Sequence, residues 1–238
     1  MNYRALVVNG CSYTEVYASG NGHVDLAQRL GIEESKSLAS GGSANTRIIR
    51  TTLKHSYQTD VPTLYVLGMT FLSRLEIPIS ERRSDFEGRW TNPQNQKFSK
   101  DWQHGWTQTE TEQFIDLKLK SEVYSILDRT EDLMYKILSM INDLKARGHT
   151  ALVYQQADDL YQEYLDNARL KYFKITPNII DGYKWRSVAW QFSQGVPSMQ
   201  YSMAKHYVPP EMLHPARGHH AILNTFLVDY INQHALLS

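Results

Sequence analysis

The chain has one cysteine in 238 residues, Cys11, which excludes an internal disulfide framework and fits folding inside a cell. It has no excess of either charge: 25 basic residues balance 25 acidic ones, for a formal net charge of zero. That balance offers no electrostatic footprint for nucleic acid or for an anionic membrane, and neither partner is expected. No apolar run reaches the length of a membrane span. The N-terminus lacks the basic segment and long apolar core of a secretion signal, because Asn9-Gly10 cuts the first apolar run short, so a cytoplasmic location is expected. Internal repeats, low-complexity tracts and linker-like stretches are also missing. Nor do the histidines form a metal set. His23-Val24-Asp25 and His219-His220 lack the spacing and companions of a zinc site, and His219-His220 reads as a surface pair on the last helix. No Lys-Ser/Thr accompanies the glycine turn at Gly41-Gly42, which argues against a nucleotide-phosphate loop; no metal and no cofactor are expected.

What is present is an alternation of short apolar runs and helical periodicities. With 42% hydrophobic residues the chain can bury a sizeable core, and its length fits one domain spanning 1–238. Ala5–Val8 reads as a first strand broken at Asn9-Gly10, with Glu15 to Asn21 as loop and His23 to Leu30 as a short helix closed by Gly31. Ser35–Ala39 is a candidate second strand, followed by the turn Ser40-Gly-Gly-Ser-Ala-Asn45 and a helix starting near Ser43 or Ala44. Val61–Gly68 is the clearest buried strand, and Leu117–Ala146 a long amphipathic helix. Thr150–Tyr154, a short Leu170–Ile175 and a closing helix over Ala216–Leu236 complete the series. Strands alternating with helices imply an α/β three-layer sandwich with a mostly parallel sheet of about five strands.

Residues from about 77 to 116 break this rhythm. They are polar and aromatic with weak periodicity, and they hold Trp90, Trp102 and Trp106. A connection of that length in a compact domain is a lid, a binding loop or an interface, or else an insertion whose aromatics dock on the core.

Two ends of the chain carry candidate chemistry. Cys11 and Ser12 follow the first strand, where ligands of open α/β sheets gather, although Ser12 serves equally well there as a helix cap. Near the other end, Pro209-Pro-Glu-Met-Leu-His-Pro215 precedes the final helix. A serine hydroxyl needs a base, and the base needs an orienting acid. His214 is a candidate base, and Glu211, three residues earlier in a proline-held segment, can fold back towards it. In the plain alternative, His214-Pro215 only starts the helix and Glu211 is solvated. Cys11 is a second candidate nucleophile that no other feature singles out.

The order of four short blocks resembles the SGNH (GDSL-type) hydrolase family. Gly10-Cys11-Ser12 matches its Gly-Asp-Ser, with Cys for Asp, and Gly41-Gly42-Ser43-Ala44-Asn45 matches its second, glycine-bearing turn. Gly68-Met69-Thr70-Phe71 stands where the family has Gly-x-Asn-Asp, and Glu211-Met212-Leu213-His214-Pro215 stands for Asp-x-x-His-Pro. The resemblance implies the family's flavodoxin-like fold, with Ser12 as nucleophile, His214 as base and then acid, and Glu211 orienting it. It implies an oxyanion hole from the N–H groups of Ser12 and Gly42. The family's third donor, an Asn side chain, is replaced by Thr70, with Asn45 as a second candidate. The implied activity is cleavage of a carboxylic ester, acetyl or short acyl, on a small molecule or a carbohydrate. The Trp90, Trp102 and Trp106 insertion is then a candidate substrate-binding border. A binding protein with a decayed site and a sugar O-acyltransferase are the alternatives.

Overall fold

The computed structural model describes residues 3–41, 43–70, 77–78, 90–91, 126–155, 177–180 and 218–237. The first strand, β1 (Ala5–Asn9), lies between β2 (Glu34–Ser37) and β3 (Thr63–Met69), and β6 (Thr150–Gln155) pairs with the far side of β3. All three pairings are parallel, with Val8 opposite both Ser37 and Val66, and Val66 opposite Leu152. The sequence predicts a mostly parallel sheet, and these four strands form one. A fifth position is marked by a parallel bridge between Val153 and Ile179, with Val153 N–H donating to the Asn178 carbonyl and Ile180 N–H to the Val153 carbonyl, each at 2.8 Å. The fifth strand expected at Leu170–Ile175 lies outside the described residues; the backbone that pairs with β6 comes after Pro177.

Strand composition follows position. β3 is buried along its whole length, as a central parallel strand must be. β2, Glu-Ser-Lys-Ser, alternates exposed and half-buried residues at the sheet edge, where charged side chains discourage further pairing.

Because successive strand side chains point to opposite faces, the sheet carries two cores. On one, Leu6, Val8, Leu64, Val66, Leu152 and Tyr154 pack with α1 (Ser12–Ser19), α2 (Gly22–Leu30) and the terminal α5 (Gly218–Gln233). On the other, Val7, Tyr65, Leu67, Met69, Ala151 and Val153 pack with α3 (Asn45–Ser56) and α4 (Ile126–Ala146). The result is three layers, helices on sheet on helices, the fold class expected from the alternation. In α4 the buried Leu133, Ile137, Met140, Ile141 and Leu144 recur at helical spacing, the apolar face read from the sequence.

Two expectations need correction. Glu15 to Asn21 is not a loop: Ser12–Ser19 is helical, and only Asn21, with φ of 62°, makes the left-handed turn into α2. Tyr17 and Ala18 bury on the sheet and supply the stabilisation that the local polarity hides. Likewise His220 is buried beside Tyr17 at a ring-centroid distance of 5.1 Å, not half of a surface pair. Gly31, read as the end of α2, does end it, in a left-handed conformation at φ of 68°. Within the region around 77 to 116, Ile77–Pro78 (β4) and Trp90–Thr91 (β5) pair antiparallel with each other. Among the described residues no helix is long and apolar enough to cross a membrane.

Candidate active site at the carboxyl ends of β1 and β3

The strand order β2-β1-β3-β6 reverses direction at β1, since the chain goes from β1 to one side and then returns to the other. The crevice outside the carboxyl ends of β1 and β3 is therefore the topological switch point, where open α/β sheets bind ligands. Three of the four blocks singled out in the sequence converge there.

The first block leaves β1 through Asn9, which is fully buried and tightly engaged. Its Nδ2 faces the Ile48 carbonyl at 3.0 Å, Thr51 Oγ1 at 2.8 Å and Thr52 Oγ1 at 2.9 Å, two hydrogens shared by three acceptors. Its Oδ1 accepts from the Gly10 N–H at 2.9 Å. This side chain thus bolts the turn to α3. Gly10 itself has no room for a side chain: a Cβ would overlap Thr14 Oγ1 and press on the Gly68 carbonyl. Cys11 is fully buried, and its carbonyl accepts from Glu15 N–H at 3.0 Å, which opens α1. Ser12 is consequently the first residue of α1, where an N–H has no acceptor within the helix and the helix dipole favours negative charge.

The second block is tied to the first by Ser40 N–H donating to the Gly10 carbonyl at 3.3 Å. Within it, Ser43 Oγ donates to the Ser40 carbonyl at 2.7 Å and accepts from Arg47 Nη1 at 2.9 Å. Asn45, the first residue of α3, does not cap its own helix. Its amide reaches the third block instead: Nδ2 donates to the Thr70 carbonyl at 3.0 Å and Oδ1 accepts from the Thr70 N–H at 2.7 Å. Asn45 and Thr70 are both buried, and the amide acts as a one-residue extension of the sheet beyond Met69.

Of the residues proposed from the sequence, Ser12, Asn45 and Thr70 are brought to one edge. The side chain of Ser12, together with Gly42, Glu211, His214, Trp102 and Trp106, lies outside the described residues, and Trp90 is described only as backbone in β5. Among the described residues no group of three or more His, Cys, Asp or Glu side chains is placed to hold a metal ion. Two roles escaped sequence reading. Asn9 reads in the sequence only as a chain breaker; the signal for its buried role is Thr51-Thr52 on the inner face of α3, polar groups that need a buried partner. The contact of Tyr17 with Asn224 joins residues 207 positions apart, and no local pattern announces it.

No protein-family model and no curated protein sequence matches the chain. Among solved structures it resembles TesA (TM-score 0.47, 12% identity, covering 96% of this chain and 98% of that one). It also resembles a candidate acylhydrolase from Bacteroides fragilis NCTC 9343 (TM-score 0.47, 16% identity, 97% and 87% covered). A GDSL-like lipase from Bacteroides thetaiotaomicron VPI-5482 is similar as well (TM-score 0.49, 13% identity, 97% and 88% covered).

Proposed function

We propose that the chain is a divergent SGNH-type serine hydrolase, one domain over 1–238 with an insertion at about 77–116, that cleaves a carboxylic ester through Ser12, His214 and Glu211. The observation that carries this reading is the convergence of the Gly10-Cys11-Ser12, Ser40–Asn45 and Thr70 segments at the switch point. Ser12 heads a helix there, and Asn45 is locked to Thr70.

In this reading His214 removes the hydroxyl proton of Ser12 as its Oγ attacks the ester carbonyl, and Glu211 holds the imidazole oriented and balances its charge. The tetrahedral oxyanion is bound by the N–H groups of Ser12 and Gly42. The third donor is the Asn45 amide, which has one Nδ2 hydrogen on the Thr70 carbonyl and a second left for the oxyanion. Thr70 takes part by holding that amide through its main chain. Collapse expels the alcohol, which takes the proton from His214. Water, deprotonated by His214, then attacks the acyl-serine, and collapse of the second intermediate releases the acid and returns the proton to Ser12. The substrate is a small-molecule or carbohydrate ester, with Trp90, Trp102 and Trp106 bordering its alcohol or acyl part.

Ser12→Ala is the direct test. Turnover of p-nitrophenyl acetate and labelling by a fluorophosphonate probe should both vanish while the melting temperature stays near the parent's. Parental turnover in the variant would remove Ser12 from the mechanism. A catalytically silent binding protein is the competing reading; Cys11 in place of the family's Asp and Thr70 in place of its Asn favour it, and a parent chain that the probe does not label would establish it.

A further inference from the structure

We infer that Tyr17 and Asn224 are positioning residues that hold the helix headed by Ser12 against the helix that follows His214, an inference that rests on the hydrolase reading above. Tyr17 lies five residues after Ser12 on α1, and Asn224 ten residues after His214, inside α5. Both are buried. The Tyr17 hydroxyl lies 2.6 Å from Asn224 Oδ1 and 2.7 Å from the Gly22 carbonyl, one proton serving two acceptors. Asn224 Nδ2 donates to that same carbonyl at 2.9 Å and to Asp25 Oδ2 at 2.7 Å. The Asn224 amide is therefore used on both sides, and α1, α2 and α5 meet in one polar knot inside an apolar layer.

The surroundings leave this knot one arrangement. Gly22 must be glycine, because a Cβ there would overlap the Tyr17 ring. His220, one turn before Asn224, packs its ring edge-on to Tyr17. Arg29 donates to Asp25 at 2.9 Å and reaches Thr225 Oγ1 at 3.2 Å, which fastens the outer rim of the same contact. Burial, with Tyr154 and Asp25 nearby, pushes the Tyr17 phenol above its usual range, so it remains a neutral donor. The hydrogen bond from Asn224, helped by Arg29, holds the Asp25 carboxyl below its usual range, so it remains an acceptor. A buried polar network with its partners matched fixes one packing where an apolar contact could slide. Nucleophile and base come from opposite ends of the chain, and their helices meet at this knot. A displacement of about 1 Å between reacting groups is enough to cost on the order of 10²-fold in rate.

The experiment compares Tyr17→Phe and Asn224→Leu with Ile231→Val, a core change on α5 away from the knot. All are assayed on p-nitrophenyl acetate and with the fluorophosphonate probe, well below each melting temperature. Tyr17→Phe and Asn224→Leu should lower kcat on the order of 10- to 100-fold with KM little changed, and slow labelling of Ser12 in step. Ile231→Val should lower the melting temperature alone. If Asn224→Leu does not fold, Tyr17→Phe, which removes a single oxygen, decides the matter. A folded Tyr17→Phe with parental kcat and labelling rate, in a background where Ser12→Ala is dead, overturns the positioning role and leaves the hydrolase reading intact. Parental turnover in Ser12→Ala overturns the hydrolase reading, and the positioning role with it.

Discussion

At the scale of single residues, the Asn45–Thr70 clamp separates two donors that the sequence left side by side. Thr70 is fully buried, and its main-chain N–H and carbonyl are both taken by the Asn45 amide. Thr70→Val keeps that clamp and should leave turnover close to parental. Asn45→Ala removes it, should cost about 1–3 kcal/mol of stability through the unmet Thr70 groups, and should lower kcat by roughly 10²–10³ through a lost oxyanion donor. The pair of kcat values decides: a large loss in Thr70→Val with parental kcat in Asn45→Ala would put the hydroxyl in the hole instead. What the sequence showed here was the order of the blocks, because glycines and small polar residues at strand ends are local signals. It did not show that Asn45 spends its amide on Thr70, because that bond links positions 25 apart and depends on how α3 lies on β3. Asn9 was hidden for the same reason, its acceptors being some forty residues further on.

At the scale of elements, legibility followed apolar periodicity. α4 and α5 announce themselves through buried side chains at helical spacing and β3 through an unbroken apolar run, whereas β2 is polar and the short α1 carries little helical patterning, so both owe their form to what they pack on. The seam between α3, β3 and the start of β6, at the sheet end opposite the candidate site, holds a further consequence. His55 Nδ1 lies 2.9 Å from the Tyr65 hydroxyl, and His149 Nδ1 accepts from the Thr63 N–H at 3.3 Å. Burial is the main cause that lowers both imidazoles below their usual value; Lys36 and His149 add to it at His55, and Arg147 adds to it at His149, against the Ser56 main chain, Asp143 and Asp60. Folded histidines with lowered pKa stay neutral while unfolded ones take up protons below about pH 6.5. The unfolded state then binds more protons, so stability falls as pH drops through that range and is flat above it as far as these two groups are concerned. Urea midpoints measured from pH 5 to 8 should show that slope, and the double variant His55→Gln, His149→Gln should flatten it. An unchanged slope in the double variant would assign the effect to other groups.

At the scale of the whole molecule, the last helix closes what the first strand begins. α5 lays Leu223, Leu227, Tyr230 and Ile231 over the face of the sheet formed by Leu6, Val8, Leu64 and Val66, beside α1 and α2. Burying four such side chains contributes roughly 1.5–3 kcal/mol each, or about 6–12 kcal/mol together. That is as large as the net stability of an ordinary domain, about 5–15 kcal/mol. Removing the helix also removes the entropy cost of ordering it, but the apolar strand face it covered remains and meets water. A chain ending at residue 217 should therefore lose its cooperative thermal transition, while retaining far-UV ellipticity and binding a hydrophobic dye, the signs of collapsed but unfixed packing. Leu227→Ala, which removes one of the four side chains, should cost about 2–5 kcal/mol and keep the transition cooperative. The contrast between the two variants is the test, since a loss confined to α5 would look the same in both. If the truncated chain melts as sharply as the parent, α5 is an appendage and not part of the core. In that event the buried bonds from Asn224 to Gly22 and Asp25 hold a helix that the rest of the fold can do without.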